Sequence, residues 1–312
     1  GKQEIEEEAY IPTGDALLME GQDPEDIMPE EEDTQELYLA YYPDRSLNPL
    51  FGSDYTNRVL MSLMYQGLFA VDSKKNPTPI LCGRYHVSAN QRNWFIYLDE
   101  NATFSDGSFV RVEDVVASYN QAMQNDYYKN RFLMHLISVE PTEDGGIQFA
   151  LDTPMDNLPL LLDIPIIKAS QLDSATPLGT GPYILESTGS GLQLRRQAAW
   201  WCNAALPVNA QIIPLHHGTT QSELWELYKF SGLSMVCTDN YVDFRGDYEL
   251  WESENGIFVY LTCNLDSPIF SNKSVRSALT YAIDRDMLVK KYYRGFAHSA
   301  SLPASPSFPY YS

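Results

Sequence analysis

The chain has 312 residues, 44% of them hydrophobic, and a net charge of −21. That length leaves room for roughly two domains of ~100–200 residues, with apolar content sufficient for a real core. The negative balance argues against a nucleic-acid partner, whose phosphates want a basic face, and no apolar run approaches the ~20 residues of a spanning helix.

The charge is unevenly placed. Residues 1–36 hold 14 Asp or Glu against Lys2 alone, a net −13, which leaves −8 for everything after them. Low hydrophobicity and like charges cannot repay ordering entropy, so 1–35 reads as an acidic disordered tail or linker. Gly1 to Tyr10 is acidic where a secretory n-region would be basic, so the sequence reads as a mature or trimmed form.

Glu36 to Tyr42 alternates into a short strand, turned sharply by Pro43-Asp44-Arg45-Ser46. Asn48-Pro49-Leu50 then introduces a helix with Val59, Leu60, Leu63 and Met64 on one side, ending at Tyr65-Gln66-Gly67-Leu68, where Gly67 suits a left-handed cap. Leu68–Val71, Arg84–Val87 and Trp94–Leu98 read as strands, with Thr78-Pro79-Ile80-Leu81 as a turn. Phe104-Ser105-Asp106-Gly107 is a second turn, followed by a helix with Val112, Val115, Val116 and Tyr119 inward and Glu113, Asp114 and Asn120 outward. The acidic pair near that N-terminus suits the helix dipole and is structural rather than catalytic.

Leu136–Glu140 and Ile147–Leu151 form a hairpin, and the apolar run Leu158–Ile167 is long enough to be buried but too short to span a bilayer. In Gly179-Thr180-Gly181-Pro182-Tyr183 the two glycines allow a tight turn. No GK[ST] follows it, so it is not a phosphate loop. Tyr183–Glu186 and Leu192–Arg196 make another hairpin; Trp200-Trp201 follows. Ala210–Leu215 is a strand, Ser222–Phe230 a short helix with Leu224, Leu227 and Tyr228 inward, and Leu233–Cys237 returns to the sheet. Ile257–Cys263 is a further strand, after which Ser271 or Asn272 caps a helix carrying Val275, Leu279, Ile283 and Leu288. Pro303, Pro306 and Pro309 stop any helix beyond it.

Nothing in the pattern supplies reaction chemistry. The five histidines (His86, His135, His216, His217, His298) are scattered and no GxSxG elbow occurs. His216 and His217 follow one another on a strand and point to opposite faces, so they cannot grip one metal. Cys82, Cys202, Cys237 and Cys263 lack ligand spacing and suit small buried thiols, with one disulfide as the alternative. No catalytic residues, metal or cofactor are expected.

The segment Ile257–Phe296, with Asn264, Pro268-Ile269-Phe270, Val275-Arg276, Ala278-Leu279, Ala282-Ile283-Asp284-Arg285 and Gly295, closely resembles the peptide/nickel-type extracellular solute-binding proteins of family 5, oligopeptide- and dipeptide-binding proteins among them. Tyr65-Gln66-Gly67-Leu68 is similar to that family's Leu-Tyr-Glu-Gly-Leu stretch with Gln66 for Glu. The Phe104 turn and its helix match with Ser105 for a common His and Arg111 at the usual Thr cap. Gly179–Tyr183 resembles its Gly-Thr-Gly-Pro-Tyr stretch, whereas Asn240–Phe244 lacks the glycine of its Gly-x-x-Asp turn.

The resemblance implies a mixed α/β (α+β) fold of the type II periplasmic-binding-protein kind: a lobe with an inserted subdomain and a second lobe cut short. Its expected parts are the first strand at 36–48, the insert at 49–165, the main part of lobe I at 166–256 and the start of lobe II at 257–312. It also implies an extracellular or periplasmic receptor that delivers a solute, foremost a peptide, to an ABC transporter permease by lobe closure. That receptor would be a monomer tethered by a removed N-terminal lipid anchor. The alternative is a peptide-sensing or interaction protein on the same fold. Candidate ligand contacts are Tyr41, Tyr42, Asp44, Thr180 and Trp200. Each also has a plain structural reading, as half-buried aromatic, turn residue or core cover.

Overall fold

The computed structural model describes residues 36–52, 54–72, 75–132, 135–202, 206, 208–230, 232–237, 249 and 258–302. The expectations for the acidic tail 1–35, Asn240–Phe244 and the prolines from 303 onward lie outside them. The chain forms two compact units, Gly1–Cys237 and Thr238–Ser312.

In chain order the first unit contains β1 (Leu39–Tyr41), α1 (Tyr55–Met64), β2 (Phe69–Val71), β3 (Pro77–Pro79), β4 (Cys82–Val87), β5 (Asn93–Leu98), α2 (Val112–Ala122) and α3 (Asp126–Phe132). It continues with β6 (Leu136–Pro141), β7 (Ile147–Leu151), β8 (Tyr183–Thr188), β9 (Gly191–Arg196), β10 (Ile212–His217) and α4 (Gln221–Lys229). One sheet has the order β1-β10-β9-β8, a second β4-β5-β7-β6, and β2-β3 is a separate pair. Among the described residues only the β1–β10 pairing is parallel, in register Leu39↔Leu215 and Tyr41↔His217.

Period-two patterning builds the second sheet, since Trp94 and Ile96 on β5 and Ile147, Phe149 and Leu151 on β7 are buried while their neighbours Phe95 and Gln148 are not. Helix α2 lays Val115, Tyr119 and Ala122 inward, and the Tyr119 ring meets Phe149 edge-on at 4.9 Å. The run from Leu158 is buried as expected: Leu158, Leu162, Ile164, Ile166 and Ile167 have no exposed surface. One core runs through both larger sheets, from Leu39 by way of Phe149 to Leu215. A smaller cluster of Ala40, Tyr42, Leu224 and Leu233 packs under α4.

Several local expectations change. Gly67 is not left-handed; a Cβ there would lie 2.7 Å from the Asp163 carbonyl carbon, so glycine is required by close approach of two backbones. Gly179 and Gly181 serve the same purpose against Met64, whereas Gly107, at φ 81°, is a true left-handed turn residue. Asp114 does not face outward: its carboxylate turns back to accept from Arg111 N–H (2.9 Å) and Ala169 N–H (2.8 Å), replacing the cap that Arg111 cannot provide. Thr78 and Pro79 belong to β3 rather than to a turn. Leu233–Cys237 is not a strand, because Tyr38 N–H donates to the Ser234 hydroxyl rather than to a carbonyl, breaking the ladder after one backbone bond, Ser234 N–H to Tyr38 O.

In the second unit, Phe258–Asn264 forms no strand with another described residue, and the expected single helix is two, α5 (Lys273–Ala282) and α6 (Arg285–Tyr292). Ile283 leaves the helix at ψ 110° and Asp284 caps the next one by accepting from Met287 N–H. Asn272, not Ser271, caps α5.

Candidate functional site

β1 and β10 run side by side in the same direction, and both end at one rim of the first sheet. In open sheets with parallel strands, the rim outside the carboxyl ends is where connecting loops leave room for a ligand. Two helices begin at that rim. Asp54 caps α1 by accepting from Thr56 and Asn57 N–H, and is ion-paired to Arg45, just past β1. Thr220, three residues past β10, caps α4 by accepting from Glu223 N–H. Helix starts carry the positive end of the peptide dipoles.

Strand alternation sorts the side chains. Tyr41 and His217 are register partners, share a face, and their rings meet edge-on at 6.5 Å; Tyr41 is half-buried and His217 exposed. Tyr42 points the other way, into the small core, and is 3% exposed. Its N–H and carbonyl are both taken by Asn57, its hydroxyl reaches Gln221, and Arg45 lies 4.1 Å over its ring. Burial pushes the Tyr42 phenol up. Asp44 is exposed in the turn beyond. Glu223 is held below the usual carboxylate range by the Thr219 N–H and hydroxyl, both donating at 2.8 Å.

Thr180 and Trp200 lie elsewhere. They sit where β8 starts and β9 ends, at the opposite rim, because Tyr183 pairs with Arg196 and Arg196 with the start of β10. The length of β10 separates the two rims by about 17 Å at ~3.3 Å per residue. Thr180 is fully buried and its carbonyl accepts both indoles, Trp200 at 2.8 Å and Trp201 at 2.9 Å. Gly181 N–H donates to Met64 O and the Gln197 amide to Gly181 O. These contacts pin the loop to the C-terminal end of α1.

So the five sequence candidates are not brought together: Tyr41, Tyr42 and Asp44 share one rim, with only Tyr41 and Asp44 reaching solvent there, and Thr180 and Trp200 share the other. Sequence reading also passed over His217. Its signal is a strand ending in His-Gly-Thr-Thr before a helix, a short strand-to-helix loop that carries function only if the strand has a parallel neighbour. Among the described residues no group of His, Cys, Asp and Glu is arranged to hold a metal, and all four thiols are free. Nor is any described helix long and apolar enough to cross a membrane.

The family model described as "Bacterial extracellular solute-binding proteins, family 5 Middle" matches residues 76–312. The glutathione-binding protein GsiB of Escherichia coli K12 is 24% identical over 282 residues, an alignment covering 85% of this chain and 55% of that protein. The fold is similar to that of AppA, the oligopeptide-binding protein of Bacillus subtilis solved with a nonapeptide, at TM-score 0.60, 19% identity, 88% of this chain and 58% of the other. It is similar also to NikZ of Campylobacter jejuni, solved with Ni(L-His), at TM-score 0.60, 19% identity, 86% and 57%. The chain thus spans little more than half the length of the relatives it matches.

Proposed function

The chain belongs to the bacterial extracellular solute-binding proteins of family 5, and from that premise we propose that it supplies the first lobe of a receptor for short peptides. The observation that carries the reading is the open rim where β1 and β10 end in parallel beside the starts of α1 and α4. A lobe with such a rim holds one side of a solute, and closure of a facing lobe removes it from water. Tyr41 and Asp44 are the contacts proposed at this rim. Trp200 and the buried Thr180 are taken to shape the lobe from its other end, by anchoring the loop before β8 on α1.

Peptide is preferred as the solute because two of the three similar proteins, GsiB and AppA, are named for glutathione or solved with a nonapeptide, both amide-linked chains, against one, NikZ, solved with Ni(L-His). The receptor binds its solute without transforming it and hands it to an ABC transporter permease at the extracellular face of the cell membrane or in the periplasm. It acts as a monomer held by an N-terminal lipid anchor.

The test is mass spectrometry of solute released by denaturing the whole gene product that carries this chain, purified from its native cells. Short peptides at near one-to-one stoichiometry are expected. Recovery of a sugar or a metal chelate in their place would overturn the peptide assignment.

A further inference from the structure

Within the rim segments 41–45 and 216–223, three residues can carry positive charge: Arg45, His216 and His217. Arg45 is engaged by Asp54 and by the Tyr42 ring. His216 sits on the opposite face from His217, 6.0 Å from the Tyr38 ring. His217 is exposed at the strand end with its ring against Tyr41, and its imidazole makes no hydrogen bond to another described residue. The groups around it are the Tyr41 phenol from β1, the Glu223 carboxylate from α4 and His216 beside it on β10. Glu223 already accepts two hydrogen bonds from Thr219, so its lone pairs are partly spent.

We propose that His217 is a ligand-contacting residue, its imidazole closing on a carboxylate of the bound solute while Tyr41 sets the plane of the ring. This rests on the peptide-receptor reading of the same rim. Imidazole is suited to the task because its ring N–H is a directional donor that a carboxylate oxygen accepts. Hydrogen bonds to an ionised acceptor are shorter and roughly twice as strong as neutral pairs, so a free carboxylate is preferred over an amide there.

The experiment uses the whole gene product and a tripeptide library in two forms, free acid and C-terminal amide, titrated by calorimetry. The native protein is expected to favour the acid. His217→Phe, which keeps a ring against Tyr41 and removes the N–H donor, is expected to lose roughly fivefold or more of that preference while still binding the amide, which shows it folded. His86→Phe, on the second sheet, should behave as the native protein does. An unchanged acid preference in His217→Phe overturns the assignment of this residue and leaves the receptor reading standing. Failure of the native protein to bind either form overturns the peptide reading, and this inference with it.

Discussion

The Asn57 carboxamide closes on Tyr42 from both sides of its peptide backbone, Oδ1 accepting Tyr42 N–H at 2.7 Å and Nδ2 donating to Tyr42 O at 3.0 Å. A residue of α1 thereby does the work of a neighbouring strand where β1 leaves its pairing with β10. The same Nδ2 reaches Arg45 O, so one fully buried side chain fixes the start of the rim turn. Replacing Asn57 with Ala leaves buried backbone groups unpaired at about 1–3 kcal/mol apiece, so a loss of about 2–4 kcal/mol is expected in urea melts. Asn57→Asp should fare no better, because a carboxylate would face two carbonyls.

The loop before β8 is held by absence of side chains. A Cβ on Gly181 would lie 2.5 Å from the Met64 carbonyl carbon and 2.6 Å from Leu63 O, and a backbone cannot yield that much. Gly181→Ala is therefore expected to cost about 1–3 kcal/mol or more and to shift tryptophan fluorescence, because Trp200 and Trp201 are anchored on the neighbouring Thr180. Gly189→Ala, in a hairpin turn with open space around it, should stay within about 0.5 kcal/mol of the native protein.

These two cases also mark what was legible in the sequence. Alternation gave the β5 and β7 strands and the 158–167 run, because burial on one or both faces leaves a period that one chain records by itself. The role of Gly67 and Gly181 was not readable, since close approach depends on a segment about a hundred residues away and a left-handed turn leaves the same letter. The two rims were invisible for a similar reason. Whether Tyr41 and Thr180 fall at one end or at opposite ends depends on strand direction and order, and those are set by pairing. Asp114 went astray because a carboxylate near a helix start looks outward in projection, while its actual partner is the N–H of Ala169.

The turn at Phe104–Gly107 is tied to the segment at 168 by Lys168, whose ammonium donates to Asp106 at 2.7 Å and to the Ser108 hydroxyl at 2.9 Å. The Lys168 bond foremost, and then Ser108, lower the Asp106 carboxyl to about 2 from 3.8. A depressed carboxyl contributes its stabilisation above the unfolded pKa and loses it as pH falls through the folded one. Both partners are partly open to solvent, so screening holds the contribution to about 1 kcal/mol or less. Lys168→Met is expected to be that much less stable at neutral pH. The two proteins should converge as pH drops from about 4 to about 2. Asp106 in the variant should titrate near the ordinary value by NMR. A difference that persists below about pH 2 would sink the assignment.

At the alkaline end one contributing group is Cys82, buried at the start of β4, whose thiol burial pushes up from 9.0 to about 12; burial raises the Cys237 thiol too, and the Cys82→Ala comparison isolates the former. An acid with a raised folded pKa holds its proton in the native state after the unfolded chain has released it. Its contribution is complete below about pH 9 and is lost as pH rises toward about 12, at up to about 1.4 kcal/mol per pH unit. Burial raises the Tyr65 phenol as well, but from an ordinary value of 10.0, so it adds to the loss only later. Urea midpoints at about pH 8, 9 and 10 should therefore fall more steeply for the native protein than for Cys82→Ala, with a gap of about 1 kcal/mol opening between pH 9 and 10. The alanine variant starts from lower stability because of the cavity it leaves, so slopes and not absolute values decide. Parallel slopes would mean that the thiol titrates alike in both states. The burial of Cys82 would then not contribute to the alkaline limit.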